Sequence, residues 1–326
     1  MPMEPKDSWP LPLAGGSEAA AQARRAFAAA GRNALPALIV ADRGLESEAV
    51  ARALHERGRP GAPFLVLDCG AADGHDVDRE LFGKGARSEA AKDLDAIGSS
   101  SALLRARAGT VYLKQILDLP AATQRRLARI LRDGEVISGG RHVRVRARII
   151  GDAPATVAVD VSAGHFRSDL FRRLSQTSIT IPALHERPDD IPELALRIAA
   201  DLRGGKPAEF TQAALTVLSA PAWPGNLDEL RRVLDRVLAA APAGSVRQED
   251  VLAHLPIDRT FARFAPGISL REARRQFERE YIASVLERHR WRMAEAARTL
   301  GIERANLYRK TRQLGILRRA GAPLAS

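Results

Sequence analysis

Ala37-Leu-Ile-Val-Ala41, then Asp42-Arg-Gly-Leu-Glu46, then Ser47-Glu-Ala-Val-Ala-Arg-Ala-Leu-His-Glu-Arg57 reads as a strand, a turn and a helix. The first run is short and continuously apolar, which suits a strand covered on both faces rather than one. Further strands are expected at Pro63–Asp68, Thr110–Leu113, Val143–Ile150 and Thr177–Ile181, with a helix around Pro120–Arg132. Strands alternating with helices predict an α/β layer on a largely parallel sheet.

Working outward, Ser17 to Gly31 is an Ala- and Arg-rich helix with Ser17 as its N-cap. Residues 1–16 form an extended lead-in, and 17–185 form the α/β region. From 186 to 256 the pattern turns helical, at Asp190–Leu202, Thr211–Leu218, Asn226–Ala240 and Gln248–Leu255. Residues 257–268 hold no helical period and read as a linker, followed by an all-α domain at 269–317 and a tail at 318–326.

The 326 residues carry a formal charge of +11, unevenly spread. From Ser269 to Ser326 there are 14 Arg or Lys against 6 Asp or Glu, while the rest of the chain holds 36 against 33. A basic C-terminal domain is what phosphate binding requires. Cys69 is the only cysteine and reads as a small buried residue after a strand. The seven histidines show no metal-ligand spacing, so no metal is expected. No basic start precedes an apolar run at the N-terminus, and no apolar run is long enough to span a bilayer. The expected compartment is the cytoplasm, without a membrane partner.

Met293-Ala-Glu-Ala-Ala-Arg-Thr-Leu-Gly-Ile-Glu-Arg-Ala-Asn-Leu-Tyr-Arg-Lys-Thr-Arg-Gln-Leu314 reads as two short helices about a turn at Gly301. Ala296, Ala297 and Leu300 face Ile302, Leu307 and Leu314, while Arg304, Asn306, Arg309, Lys310 and Arg312 occupy the other surfaces. Small residues at a helix crossing, a glycine turn and a basic second helix describe a helix-turn-helix reader of double-stranded DNA. Leu270, Ala273, Phe277, Tyr281 and Val285 recur at helical intervals in 269–288, which suits packing on a second copy.

Further segments carry a family likeness: Glu80-Leu-Phe-Gly83, Asp118-Leu-Pro, Gln124-Arg-Arg-Leu-Ala-Arg-Ile-Leu131, Phe166-Arg-Ser-Asp-Leu-Phe-Arg-Arg-Leu174, Glu186-Arg-Pro-Asp-Asp-Ile-Pro192 and Trp223-Pro-Gly-Asn226. In this order they resemble the NtrC-type bacterial enhancer-binding proteins. Those sigma-54-dependent activators have an AAA+ ATPase domain with a helical lid, followed by a Fis-type DNA-binding domain. The resemblance implies an AAA+-like parallel sheet and lid, and a dimer through 269–288. It also places Arg292, Arg304, Asn306, Arg309, Lys310 and Arg312 toward DNA.

The positions that handle nucleotide in that family differ here. A phosphate-binding loop needs glycines and a lysine, yet only Gly44 is kept, with Glu46 and Ser47 at the places of a glycine and the lysine. Arg43 is the one nearby cation expected. Lys114 and Gln115 stand where the family has the carboxylates that organise magnesium and activate water. Gly151-Asp152 replaces the polar sensor, and Asp228 replaces the lid arginine. Arg167 and Arg173 match the paired arginines that reach a neighbour's nucleotide, but surface or interface salt bridging is the favoured reading for both. The sigma-contacting loop, Gly85, Ala86, Arg87, Ser88, Glu89 and Ala90, keeps its frame but carries a guanidinium at the aromatic position.

The expectation is a sequence-specific DNA-binding regulator whose AAA+-like domain takes no ATP or magnesium and serves as a scaffold. RNA polymerase or another regulator is a further expected partner. A surviving ATPase with unusual residues and an architectural DNA protein stay open beside it. Only a short segment precedes the first strand at Ala37, so no receiver-like domain is expected before it.

Overall fold

The computed structural model describes residues 9–70, 74–83, 96–240, 245–255, 279, 282–283, 286, 291, 293–300, 304–314 and 316. The chain divides into two compact units, Met1–His254 and Leu255–Ser326.

In the first unit the strands are β1 (Ala37–Val40), β2 (Phe64–Asp68), β3 (Thr110–Lys114), β4 (Glu135–Ser138), β5 (Arg141–Arg144), β6 (Arg148–Ala153) and β7 (Ser178–Thr180). Five of them form one sheet in the order β2-β3-β6-β1-β7, every neighbouring pair parallel. Ala37, Leu38 and Ile39 are at most 1% exposed, so β1 is covered on both faces as its unbroken apolar run requires. Burying one such aliphatic side chain contributes about 1.5–3 kcal/mol.

The helices of this sheet layer are α1 (Glu18–Gly31), α2 (Ser47–Gly58), α3 (Gly74–Phe82), α4 (Ala102–Arg105), α5 (Ala121–Asp133), α6 (Val157–Ser162) and α7 (Ser168–Leu174). The Ser17 hydroxyl accepts from Ala20 N–H at 3.1 Å, so α1 is capped where its sequence expects. The lid adds α8 (Ile191–Leu202), α9 (Gln212–Ser219), α10 (Asn226–Ala240) and α11 (Gln248–His254). Leu194, Ile198, Leu218, Leu230, Leu234 and Val251 bury completely among them. Trp223 is also fully buried, its indole N–H donating to Leu218 O at 2.9 Å.

Two expectations need correction. Val143–Ile150 is not one strand. Gly139 and Gly140, at φ of 58° and 75°, turn an antiparallel β4–β5 hairpin, and β6 begins only at Arg148. Paired positive-φ glycines make the tight turn that matches strand twist, while Val143 and Val145 rest on the core. The lead-in is not simply extended either. Leu11–Leu13 forms a 3-10 turn, and Leu13 and Ala14 are buried. The Arg24 guanidinium donates to Leu13 O and Gly15 O at 2.9 and 2.7 Å, and Arg187 donates to Ala14 O at 3.0 Å. Buried backbone carbonyls need such partners, but here the donors come from distant positions that no local pattern reveals.

In the second unit, α12 (Met293–Thr299) and α13 (Arg304–Gln313) share a core of Ile282, Leu286, Ala296, Ala297 and Leu307, with Trp291, Met293, Leu300, Leu314 and Ile316 against it. The alanines of α12 let α13 approach closely. Among the described residues, no helix is long and apolar enough to cross a membrane.

Candidate functional site

Parallel strands bring their C-terminal ends to one rim of the sheet, where α/β folds place ligands. At that rim, β1, β3 and β6 border a cleft of about 740 Å³ together with the turn before α2 and the start of α10. Gly44 has φ +83°, and a Cβ there would come within 2.2 Å of Gly225 O. Only glycine fits this turn. Gly44 O in turn accepts from Asp228 N–H at 3.2 Å. The Asn226 side chain donates to Arg43 O at 3.0 Å and accepts from Leu184 N–H at 3.0 Å. The turn is therefore fastened to the lid by α10.

The other expected site residues have found partners inside the protein. Glu46, at φ 50°, pairs with Arg231 of α10 at 3.2 Å. Lys114 pairs with Asp68 at the end of β2, also at 3.2 Å. The expectation of Arg43 as the one nearby cation is corrected here: Lys114 lines the cleft as well, and Arg231 offsets Glu46. The backbone N–H of Gln115 donates to Asp152 at 2.7 Å. Burial raises the Asp152 carboxyl above the usual carboxylate range, and the Gln115 N–H, with the Tyr112 and Ser47 hydroxyls beside it, acts the other way. Ser47, at the lysine position, and Asp152, at the sensor position, line the same cleft.

Electrostatics follow from this lining. The carboxylates of Asp42, Glu46, Glu48, Asp118, Asp152 and Asp228 border the cleft, against Arg43 and Lys114 as cations. Carboxylates outnumber cations along this lining, although Arg231 offsets Glu46 and burial disfavours the charged form of Asp152. The start of α2 offers backbone N–H groups, with Ser47 rather than a lysine at its first position.

Arg167 makes two bonds to Asp169, at 3.0 and 2.8 Å, which hold the Asp169 carboxyl below its usual range. Arg173 donates to Leu131 O at 3.4 Å. Both arginines are engaged within their own chain.

On α13, Arg304, Arg309 and Arg312 are exposed, and Asn306 and Lys310 are half-buried. The Arg309 guanidinium donates to Asn306 Oδ1 at 3.2 Å, and Arg304 lies 5.8 Å from the Tyr308 ring centre. Arg292 and the loop residues Gly85, Ala86, Arg87, Ser88, Glu89 and Ala90 lie outside the described residues. So does the expected helix at 269–288, apart from Arg279, Ile282, Ala283 and Leu286.

Residues 13–180 match the Sigma-54 interaction domain, 185–261 the AAA+ ATPase lid domain, and 273–319 the Fis family of bacterial regulatory proteins. The chain belongs to the NtrC-type, sigma-54-interaction-domain family. It is 33% identical over 296 residues to the nitrogen assimilation regulatory protein NtrX of Azorhizobium caulinodans, covering 86% of this chain and 63% of that protein. It therefore spans just under two thirds of that relative's length. NtrX from Brucella abortus, solved in complex with ATP, is 30% identical with a TM-score of 0.62, over 96% of this chain and 71% of that one. A mutant form of Thermotoga maritima RuvB is 16% identical with a TM-score of 0.55, over 98% of this chain and 94% of its own, a likeness of fold alone. The NtrC-type chain is thus an AAA+ parallel sheet with a helical lid, joined to a Fis-type helix-turn-helix domain.

Sequence reasoning did not find Asn226 or Arg231 as members of this site. Asn226 sits inside the Trp223-Pro-Gly-Asn226 motif and has φ 49°, a conformation asparagine tolerates better than most residues. Arg231 had no local signal, since its meaning comes from Glu46 at a distance of 185 positions.

Proposed function

We propose that this chain is a DNA-binding transcription regulator that reads operator sequence through α13 and uses its AAA+-like domain as a scaffold without ATP turnover. One observation carries the second half: the replaced nucleotide positions are paired with one another, with the end of β2 or with the lid. Lys114 is held by Asp68, Glu46 by Arg231, and the Gln115 N–H by Asp152. Lys114 and Gln115 supply no carboxylate for magnesium or for water activation. The first half rests on the basic exposed face of α13 and on the Fis-family match. Dimerisation through 269–288, contact with RNA polymerase and a cytoplasmic location belong to the same proposal.

The relative crystallised with ATP supports a second reading, in which the cleft still takes nucleotide. A thermal melt of the full chain with and without MgATP decides between them. No change in midpoint, with phosphate release at background, is the expected outcome. A rise of several degrees, as ligand binding to the folded state produces, would overturn the scaffold reading.

A further inference from the structure

The other rim of the same sheet has the opposite charge. At the N-terminal ends of β1, β3 and β6, Arg32 follows α1, Arg59 follows α2, Arg107 precedes β3, and Arg144 and Arg146 precede β6. Backbone bonds bring these segments together. The Arg59 guanidinium donates to Ala108 O, Gly109 O and Arg146 O at 2.6, 2.6 and 2.9 Å. Beneath it, Arg148 donates to Leu35 O at 2.8 Å and Ala30 O at 3.0 Å. Carbonyl oxygens, not carboxylates, satisfy this pair of guanidinium groups. Burial and then the neighbouring Arg59 charge lower the affinity of Arg148 for its proton.

The hairpin extends the patch. Val143, Val145 and Ala147 pack against the core, so the alternation of side chains turns His142, Arg144 and Arg146 outward. Arg32, Arg107, Arg141, Arg144 and Arg146 are exposed and make no ion pair with any described residue. Asp133 contacts Arg132 at 2.7 Å, while Glu135 lies 3.4 Å from His142 and stands opposite Arg144 in the hairpin register, and Glu56 is exposed near the end of α2. The N-terminal rim thus gathers more guanidinium groups than carboxylates, although the chain ahead of Ser269 is nearly neutral as a whole.

We propose that this rim binds the phosphate backbone of duplex DNA, as a second and sequence-independent contact besides the one made by α13. Arginines that lack carboxylate partners can neutralise phosphates and release the counterions of the duplex, which makes duplex DNA the favoured class of partner. The α13 reader is carried on the same chain, so DNA held there is present at high effective concentration for the rim. The rim is a separate surface from α13, and the two contacts fail separately in the experiment.

The test uses the full chain and fluorescence anisotropy with a mixed-sequence 60-base-pair duplex, about 60 being long enough to exceed one reader's footprint, across a series of KCl concentrations. Changing Arg107, Arg144 and Arg146 together to Ala should weaken binding about tenfold at moderate salt. It should also reduce the slope of log affinity against log salt by about 2–3, near 0.9 for each lost phosphate contact. The corresponding triple Lys variant should keep the slope, because an ammonium still neutralises phosphate. Unchanged affinity and slope in the Ala variant would overturn the proposal. Equal losses in the Ala and Lys variants would overturn it as a structural effect. Arg304→Ala tests the α13 contact independently and should leave the contribution of the rim in place.

Discussion

Cys69 shows what a single position takes from its surroundings. Its residue type and its place after an apolar strand already pointed to burial, and it is 3% exposed. Its acidity was not legible in the sequence. Burial, followed by the charges of Asp152, Asp68 and Asp118, pushes the thiol up to about 12. Its stabilising contribution is therefore present below the unfolded pKa and lost as pH rises through the folded one. At pH 8 iodoacetamide should label native Cys69 at least about a thousandfold more slowly than an unfolded thiol, since only thiolate reacts. The native rate should keep climbing toward pH 12. Labelling that levels off near pH 9 would show an ordinary exposed thiol. Gly44 was legible in the same partial way. Its turn could be read locally, but the Gly225 carbonyl that forbids a Cβ belongs to the lid's motif.

Among the elements, β1, the α1 cap and α10 follow from apolar runs, a serine and helical periodicity, all properties of neighbouring residues. The strap at 9–15 does not. Leu11–Leu13 is too short to show a period, and Arg24, Arg187 and Asp190 hold the strap and its junction with α1. Asp190 is 2% exposed and accepts from Ser17 N–H at 2.8 Å and Ser17 hydroxyl at 2.6 Å, joining the start of α1 to the start of α8. Asp190→Ala leaves those donors unmet and removes a countercharge beside Arg187, which burial already lowers to about 10. The expected cost is about 3 kcal/mol, or roughly 6–12 °C in melting midpoint for a unit of this size. Differential scanning calorimetry measures this directly, and a shift under 2 °C, about what a surface change gives, would show the junction to be unimportant.

At the scale of the whole molecule, the two units divide the reading. The α/β layer and lid were visible because many short motifs fall in family order, whereas the pairing of Glu46 with Arg231 required the fold. The reader was visible because its apolar spacing and its charge agree within one short stretch, Met293 to Leu314. Arg304→Ala or Asn306→Ala should weaken binding to the cognate operator, once mapped by genome-wide occupancy, by about 1–3 kcal/mol, and weaken random duplex less. Gel-shift titrations on both DNAs check this. Equal losses on the two would make the protein architectural rather than sequence-reading. The acidic and basic rims also lie a strand length apart, about 13–20 Å, so a nearly neutral first unit is a strong charge dipole.

On the scaffold reading, the contact between Lys114 and Asp68 at 3.2 Å has a historical consequence. Putting an aspartate at position 114 would set two carboxylates against each other, and putting a glycine at 46 would strip Arg231 of its partner. Each family residue then costs one such contact unless its partner changes with it. On that reading, recovering the family's residues couples positions 114 with 68 and 46 with 231.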